Sequence, residues 1–117
     1  MSENNEFPNA DDYEVRKLVN LLILMMLKNE HDEFSIKPRD GKLQVLADFD
    51  ELEPLDSDLL TGLVDRLKFM ADLDTEIEDS EQSGQMELSI IDFGAVCCRV
   101  TTVPSEIGEG VVVSIER

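Results

Sequence analysis

Positively charged residues are scarce in this chain. Its 117 residues include 10 Lys and Arg against 27 Asp and Glu, which gives a formal net charge of -17 and a pI near 4.1. Nucleic acids and anionic membrane surfaces attract Lys and Arg and repel carboxylates. The composition therefore argues against a nucleic-acid partner, allows a basic protein partner without demanding one, and favours solubility.

Residues that carry catalytic, redox or metal chemistry are also few. The chain has one histidine, His31, and no nucleophile and base pair is readable beside it. Its two cysteines, Cys97 and Cys98, are adjacent, so on a strand they point to opposite faces and cannot easily bond to each other. The carboxylate-rich segment 48–58 lacks the Gly and Glu spacing of an EF-hand loop. We therefore predict a protein that is not an enzyme and that has no metal site and no cofactor.

Neither a secretory signal nor a membrane-spanning segment is readable in these residues. The first six residues are acidic, whereas a signal peptide begins with basic residues, so we expect a cytoplasmic location. The apolar run from Leu18 to Leu27 is interrupted only by Asn20 and would cover about 15 Å of helix, roughly half of a bilayer's hydrocarbon core. We expect no insertion into a membrane.

The apolar content, 42% of the residues, is sufficient for one small domain. We assign residues 1–10 to a flexible acidic leader and residues 11–117 to a single domain. Helical spacing of apolar residues predicts one helix that ends near Asn29 and a second helix over about residues 57–71.

Several side chains on these two helices lie off the predicted core faces. The first helix is apolar on most sides, which requires cover either within the domain or by a partner, and both alternatives are open. On the second helix the apolar stripe leaves two cations facing away from the core's centre. Our candidates for a partner surface are Leu21, Leu24, Arg66 and Lys68.

Alternating apolar and polar residues predict about five strands. These are Glu33–Ile36, Lys42–Ala47, Met86–Ile91, Ala95–Val103 and Gly110–Glu116. The first two form a hairpin through a turn that contains Asp40-Gly41, and the segments 48–55 and 72–85 are loops. The predicted order is α-β-β-α-β-β-β, an α+β fold with two helices packed on a mixed or antiparallel sheet. Alternation also directs Arg99 away from the core, toward acidic neighbours with which it can pair.

An ordered set of motifs extends through the second half of the chain. A helix that ends at Arg66 to Asp74 is followed by Gln82 to Gln85, by Arg99 to Pro104, and by Gly108 to Val113. Together with Ile36-Lys37-Pro38 earlier in the chain, this set resembles the N-terminal domain that immediately precedes the motor domain in type II secretion and type IV pilus assembly ATPases. The resemblance covers nearly the whole chain after about residue 10.

The phosphate-binding loop of the motor, G-x-x-x-x-G-K-[ST], does not occur in these 117 residues. The resemblance implies that arginines of the family's loops and strands reach a nucleotide on the motor. At the matching positions this chain has Gln85 and Gly110, and it keeps only Arg99. The resemblance therefore implies a non-catalytic protein-interaction or regulatory module, whose partner is a secretion or pilus motor or a second copy of the chain in a homo-oligomer.

An alternative is a site for a small anion or a nucleotide. Arg99 would supply the charge, and the turn Gly108 to Gly110 would supply backbone N–H groups. The residues of this candidate site are Gly84, Gln85, Arg99, Gly108, Glu109 and Gly110.

Overall fold

The apolar periodicity of the sequence forms two helices, and the alternating segments form the strands of one sheet. The computed structural model describes residues 10–116. Its elements, in chain order, are α1 (Ala10–Lys28), β1 (Glu33–Arg39), β2 (Lys42–Ala47), β3 (Asp50–Glu51), β4 (Leu55–Asp56), a 3₁₀ turn (Ser57–Leu59), α2 (Leu60–Met70), β5 (Ser83–Ile90), β6 (Gly94–Ser105) and β7 (Gly108–Glu116). The predicted leader lies outside the described residues except for Ala10, which begins α1.

The sheet has the spatial order β3-β2-β1-β7-β6-β5, and β4 also pairs with β2. Every pair of neighbouring strands in it is antiparallel. The last strand, β7, lies between β1 and β6 and so joins the N-terminal hairpin to the C-terminal meander. The predicted α+β class is confirmed, with seven strands among residues 10–116 instead of about five.

The hairpin of β1 and β2 confirms the predicted turn. Asp40 and Gly41 both have a positive φ, 52° and 78°, as a two-residue type I′ turn requires. β1 runs past its predicted end at Ile36 and includes Pro38, which is opposite Leu43. β7 pairs with β1 only up to Ile36, so the missing N–H of the proline interrupts no ladder on that side.

The prediction that residues 48–55 form only a loop is wrong. This segment contains β3 and β4, and both pair with β2. Leu52 also donates a backbone hydrogen bond of 2.8 Å to the Val45 carbonyl. Without this segment β2 would be an edge strand with unpaired backbone groups, and the returning chain satisfies them.

The core lies between the two helices and one face of the sheet. On β6 the buried side chains are Val96, Cys98, Val100 and Thr102, as the alternation predicted. Burial of one medium-sized apolar side chain stabilises a fold by about 1.5–3 kcal/mol. The residues of the helices that are buried in this cluster are Val15, Val19, Leu22, Ile23, Met26, Leu63, Val64, Leu67 and Ala71. The opposite face of the sheet, which carries Gln85, Arg99 and Glu116, is called the open face below.

Candidate functional site

On the open face, Arg99 is the centre of a hydrogen-bonded network across three strands. Its Nε donates to Oε2 of Glu116 at 3.1 Å, and its Nη1 donates to Oγ of Ser83 at 3.2 Å. Gln85, the cross-strand partner of Arg99, donates from Nε2 to Oε1 of Glu116. The hydrogen bond from Gln85, and then that from Arg99, hold the pKa of the Glu116 carboxyl below its ordinary value. Arg99 therefore points outward and pairs with a carboxylate, as predicted.

The helix side of the sheet carries a buried ion pair that the sequence did not predict. Lys68 on α2 is 0% exposed, and its Nζ lies 2.8 Å from Oε1 of Glu109, whose side chain is 9% exposed. The same Nζ donates to the carbonyl of Ile77 at 2.5 Å. Lys68 thus connects α2, the loop that follows it and β7. The prediction that Lys68 lies on a partner surface is wrong, because this loop and β7 cover its ammonium group.

A small cavity of about 100 Å³ adjoins this pair. It is lined by Leu60, Thr61, Val64, Asp65, Glu78, Gly108 and Glu109. Oε2 of Glu109 is buried and has no hydrogen-bond partner among the described residues. Burial raises the pKa of the Asp65 carboxyl. The positive charge of Lys68 counteracts this increase, and the negative charge of Glu78 adds to it. Among the side chains of residues 13–116, no three His, Cys, Asp or Glu are arranged to hold a metal ion.

The glycines of the predicted anion site have structural explanations. A Cβ on Gly84 would lie 2.6 Å from the carbonyl oxygen of Ala71, and a Cβ on Gly110 would lie 2.9 Å from that of Ile36. Gly108 has a φ of 139°, which favours glycine, at the turn between β6 and β7. At Gly84 and Gly110 a neighbouring backbone oxygen leaves no room for a Cβ atom, and at Gly108 the chain turns with a φ that favours glycine.

The structure does not bring the predicted anion-site residues together. Gln85 and Arg99 lie on the open face, where Glu116 engages both. Glu109 lies on the helix side, where it pairs with Lys68. Because strand side chains alternate between faces, the turn Gly108 to Gly110 cannot direct Glu109 toward Arg99.

His31 is also engaged within the chain. Its Nδ1 lies 3.0 Å from Oδ2 of Asp48. The Asp48 carboxylate also accepts hydrogen bonds from two backbone N–H groups, that of Asp32 at both oxygens and that of Glu33 at Oδ1. The His31 hydrogen bond is the largest cause that lowers the pKa of Asp48, and the backbone donors add to it. Asp48 has a positive φ of 53°, which Asp tolerates better than most residues. This contact fastens the end of α1 to the end of β2.

The remaining partner-surface candidates lie on the outer side of the helices. Leu21 is 53% exposed, and Leu24 and Arg66 are partly buried. Arg66 adjoins a groove of about 320 Å³ between α1 and α2. We call it the helix groove, and it is lined by Tyr13, Arg16, Lys17, Val19, Asn20, Arg66 and Met70.

Sequence reasoning missed most of the helix groove. Tyr13, Lys17 and Asn20 recur at intervals of four and three, which places them on one side of α1. That spacing could have indicated the α1 wall of the groove. The approach of Arg66 from the second helix depends on tertiary structure.

Comparisons with known proteins agree with the motifs. No family model matches the chain. It is 31% identical over 111 residues to Type II secretion system protein E of Klebsiella pneumoniae, and 28% identical over 110 residues to Type IV pilus assembly ATPase PilB of Myxococcus xanthus strain DK1622. These alignments cover 92% and 91% of this chain but 22% and 19% of the two relatives.

The chain thus spans about a fifth of the length of the curated relatives it matches. Its resemblance to the N-terminal domain of type II secretion and type IV pilus assembly ATPases, predicted from the motifs, is confirmed. Neither helix in the described part of the chain combines the length and apolarity needed to cross a membrane.

Proposed function

We propose that this chain is a non-catalytic protein-interaction module that regulates, or assembles with, a secretion or pilus-assembly ATPase or a second copy of itself in the cytoplasm. One observation carries the proposal: the side chains that sequence reasoning considered for chemistry are engaged in pairs within the fold. The pairs are His31–Asp48, Lys68–Glu109 and Arg99–Glu116. In each pair the charged group is already engaged by an opposite charge of the fold, and this favours a structural role for it over a catalytic one.

The outer side of the helices supports an interaction role. Single exposed apolar side chains are normal on proteins, so only a contiguous group is informative. Tyr13 is 59% exposed beside the helix groove, and Phe69, whose ring lies under the Arg66 guanidinium, is 70% exposed. Aromatic residues and arginine are enriched in protein interfaces, and here they occur together. This combination favours a protein partner.

The test is affinity capture of the tagged chain from its own cells under mild crosslinking, with bound proteins identified by mass spectrometry. We expect to recover a secretion or pilus-assembly ATPase, or untagged copies of the same chain. A matched capture with the tag alone controls for background. A purified protein that stays monomeric and captures neither partner would contradict the proposal.

The proposal also predicts the outcome of an anion titration. Glu116 already engages Arg99, and a net charge of -17 repels anions, so ATP or a cyclic dinucleotide should not bind. We expect no heat in calorimetry and no melting shift at millimolar ligand. A saturable melting shift that disappears in Arg99→Gln would favour the anion-binding alternative.

A further inference from the structure

The helix groove concentrates positive charge on a strongly acidic protein. Of the chain's 10 Lys and Arg residues, Arg16, Lys17 and Arg66 line this one groove. Arg16 and Lys17 lie on α1, and Arg66 faces them from α2. The groove therefore differs in charge from a surface on which carboxylates dominate.

Arg66 has no acidic partner within the described chain. Among residues 13–116, whose side chains the structure describes, no carboxylate forms an ion pair with Arg66, whereas Lys68 and Arg99 each have one. Its Nε is buried without a hydrogen-bond acceptor, and its guanidinium lies 5.7 Å from the centroid of the Phe69 ring. A guanidinium presents a planar set of donors that matches a carboxylate, and its stacking on an aromatic ring keeps it oriented.

The length of the groove's α1 wall fits a peptide segment better than a small ion. Tyr13, Lys17 and Asn20 follow one side of α1 over about 10 Å, calculated from the helical rise. This length corresponds to about two turns of a helix or roughly three residues of extended chain. The exposed rings of Tyr13 and Phe69 beside the cations add apolar contact area to the charge.

We propose that the helix groove binds an acidic segment of a protein partner. Carboxylates of that segment pair with Lys17 and Arg66, and an apolar side chain between them contacts Tyr13 and Phe69. This inference rests on the proposed function, since it names the surface and the partner's chemistry for the same interaction role. A nucleic acid or an anionic membrane is disfavoured, because the rest of the protein would repel an extended anionic surface.

The test begins with a random 12-residue peptide display library selected against the purified wild-type chain. Enriched peptides are then synthesised, and their affinities are measured by fluorescence polarisation at low and high salt. We expect enriched peptides to combine Asp or Glu with an aromatic or aliphatic residue. Their binding should weaken with added salt, because Lys17 and Arg66 are near the surface.

The decisive variant is the double charge reversal Lys17→Glu/Arg66→Glu. It should weaken binding of the selected peptides by about tenfold or more. The matched control Lys37→Glu/Arg39→Glu changes the net charge equally on the β1 strand and should leave the affinity within about twofold of wild type. Circular dichroism verifies that both variants are folded. Equal weakening by the two variants, enrichment of neutral or basic peptides, or no enrichment would overturn the proposal.

Capture from cells separates this inference from the proposed function. If wild type and Lys17→Glu/Arg66→Glu recover the same ATPase equally well, the groove is not the docking surface, although the interaction role stands. If wild type recovers neither an ATPase nor its own copies, the proposed function itself fails. Loss of the ATPase in the groove variant alone would support both proposals.

Discussion

The buried pair between Lys68 and Glu109 gives the sharpest test of the fold. Lys68→Met keeps an unbranched side chain of similar length but removes the ammonium group. Glu109 would then remain buried without an ionic partner, and the hydrogen bond to the Ile77 carbonyl would be lost. Removal of one partner from a buried pair typically costs about 3–5 kcal/mol. A domain has about 5–15 kcal/mol of stability in total, so this change should remove a large part of it.

The double variant Lys68→Met/Glu109→Met distinguishes the pair from other effects. It leaves no uncompensated charge and fills the same space with apolar atoms. Replacement of a buried ion pair by packed apolar side chains is often neutral or stabilising. We therefore expect the double variant to be within about 1 kcal/mol of wild type, and more stable than Lys68→Met alone.

Urea unfolding followed by far-ultraviolet circular dichroism measures these differences, because the chain has no tryptophan for fluorescence. With a slope of about 1.5 kcal/mol per molar urea, a loss of about 3 kcal/mol lowers the midpoint by about 2 M. Lys42→Met is the control, because Lys42 forms an exposed pair with Asp56 at 3.2 Å, and its loss should cost less than about 1 kcal/mol. If Lys68→Met is as mild as Lys42→Met, or the double variant is as unstable as Lys68→Met, the reasoning is refuted.

Three further predictions concern acid stability, close packing and thiol reactivity. The hydrogen bond from His31 lowers the pKa of the Asp48 carboxyl in the folded state below its ordinary value of 3.8. The ionised Asp48 therefore stabilises the fold above pH 3.8, and this stabilisation is lost as the pH falls through the lower pKa of the folded state. The melting temperature of wild type should exceed that of Asp48→Asn at pH 7 and converge with it below about pH 3.8. A difference between the two proteins that stays constant over this pH range would contradict the role of the His31 hydrogen bond. Gly84→Ala should cost about 1–3 kcal/mol in urea unfolding, since its Cβ would meet a backbone oxygen at 2.6 Å, and an unchanged midpoint would refute that contact. Burial raises the pKa of the Cys98 thiol to about 11, so iodoacetamide should alkylate Cys97 first in the native protein. Mass spectrometry of single-cysteine variants measures the two alkylation rates. Equal rates would contradict the burial of Cys98.

Local sequence patterns predicted much of the fold. The period of α1, the Asp40-Gly41 turn and the alternation along β6 are signals contained in a few neighbouring residues. The outward direction of Arg99 followed from the same alternation. The type of these elements and their buried faces could therefore be predicted from neighbouring residues, whereas β1 and β5 extend beyond their predicted ends, to Arg39 and from Ser83.

The errors arose where distant parts of the chain meet. β3 and β4 are strands because they pair with β2, and their own composition is that of a loop. The charge of Lys68 suggested a surface residue, but its spacing from Val64 and Ala71 places it on the buried side of α2, where the loop 72–82 and β7 cover it. Its counter-charge, Glu109, is far along the chain, so no local pattern could indicate the pair.

The candidate site was predictable only in part for the same reason. The anion-site hypothesis grouped residues by the order of family motifs, whereas the sheet distributes Arg99 and Glu109 between its two faces. The helix groove combines Lys17 of α1 with Arg66 of α2, which only the packing of the two helices brings together. Arg66 was identified as a candidate for a partner surface. Its proximity to Tyr13 and Lys17 could not be predicted, because it depends on how the two helices pack.

The central claim is that this chain acts by binding a protein. Sedimentation velocity of the purified chain, alone and mixed with the purified secretion or pilus-assembly ATPase of the same cells, tests it most directly. The account predicts a complex with the ATPase, or a concentration-dependent oligomer of the chain itself. A chain that sediments as an unchanged monomer at every concentration, with and without the ATPase, would contradict it.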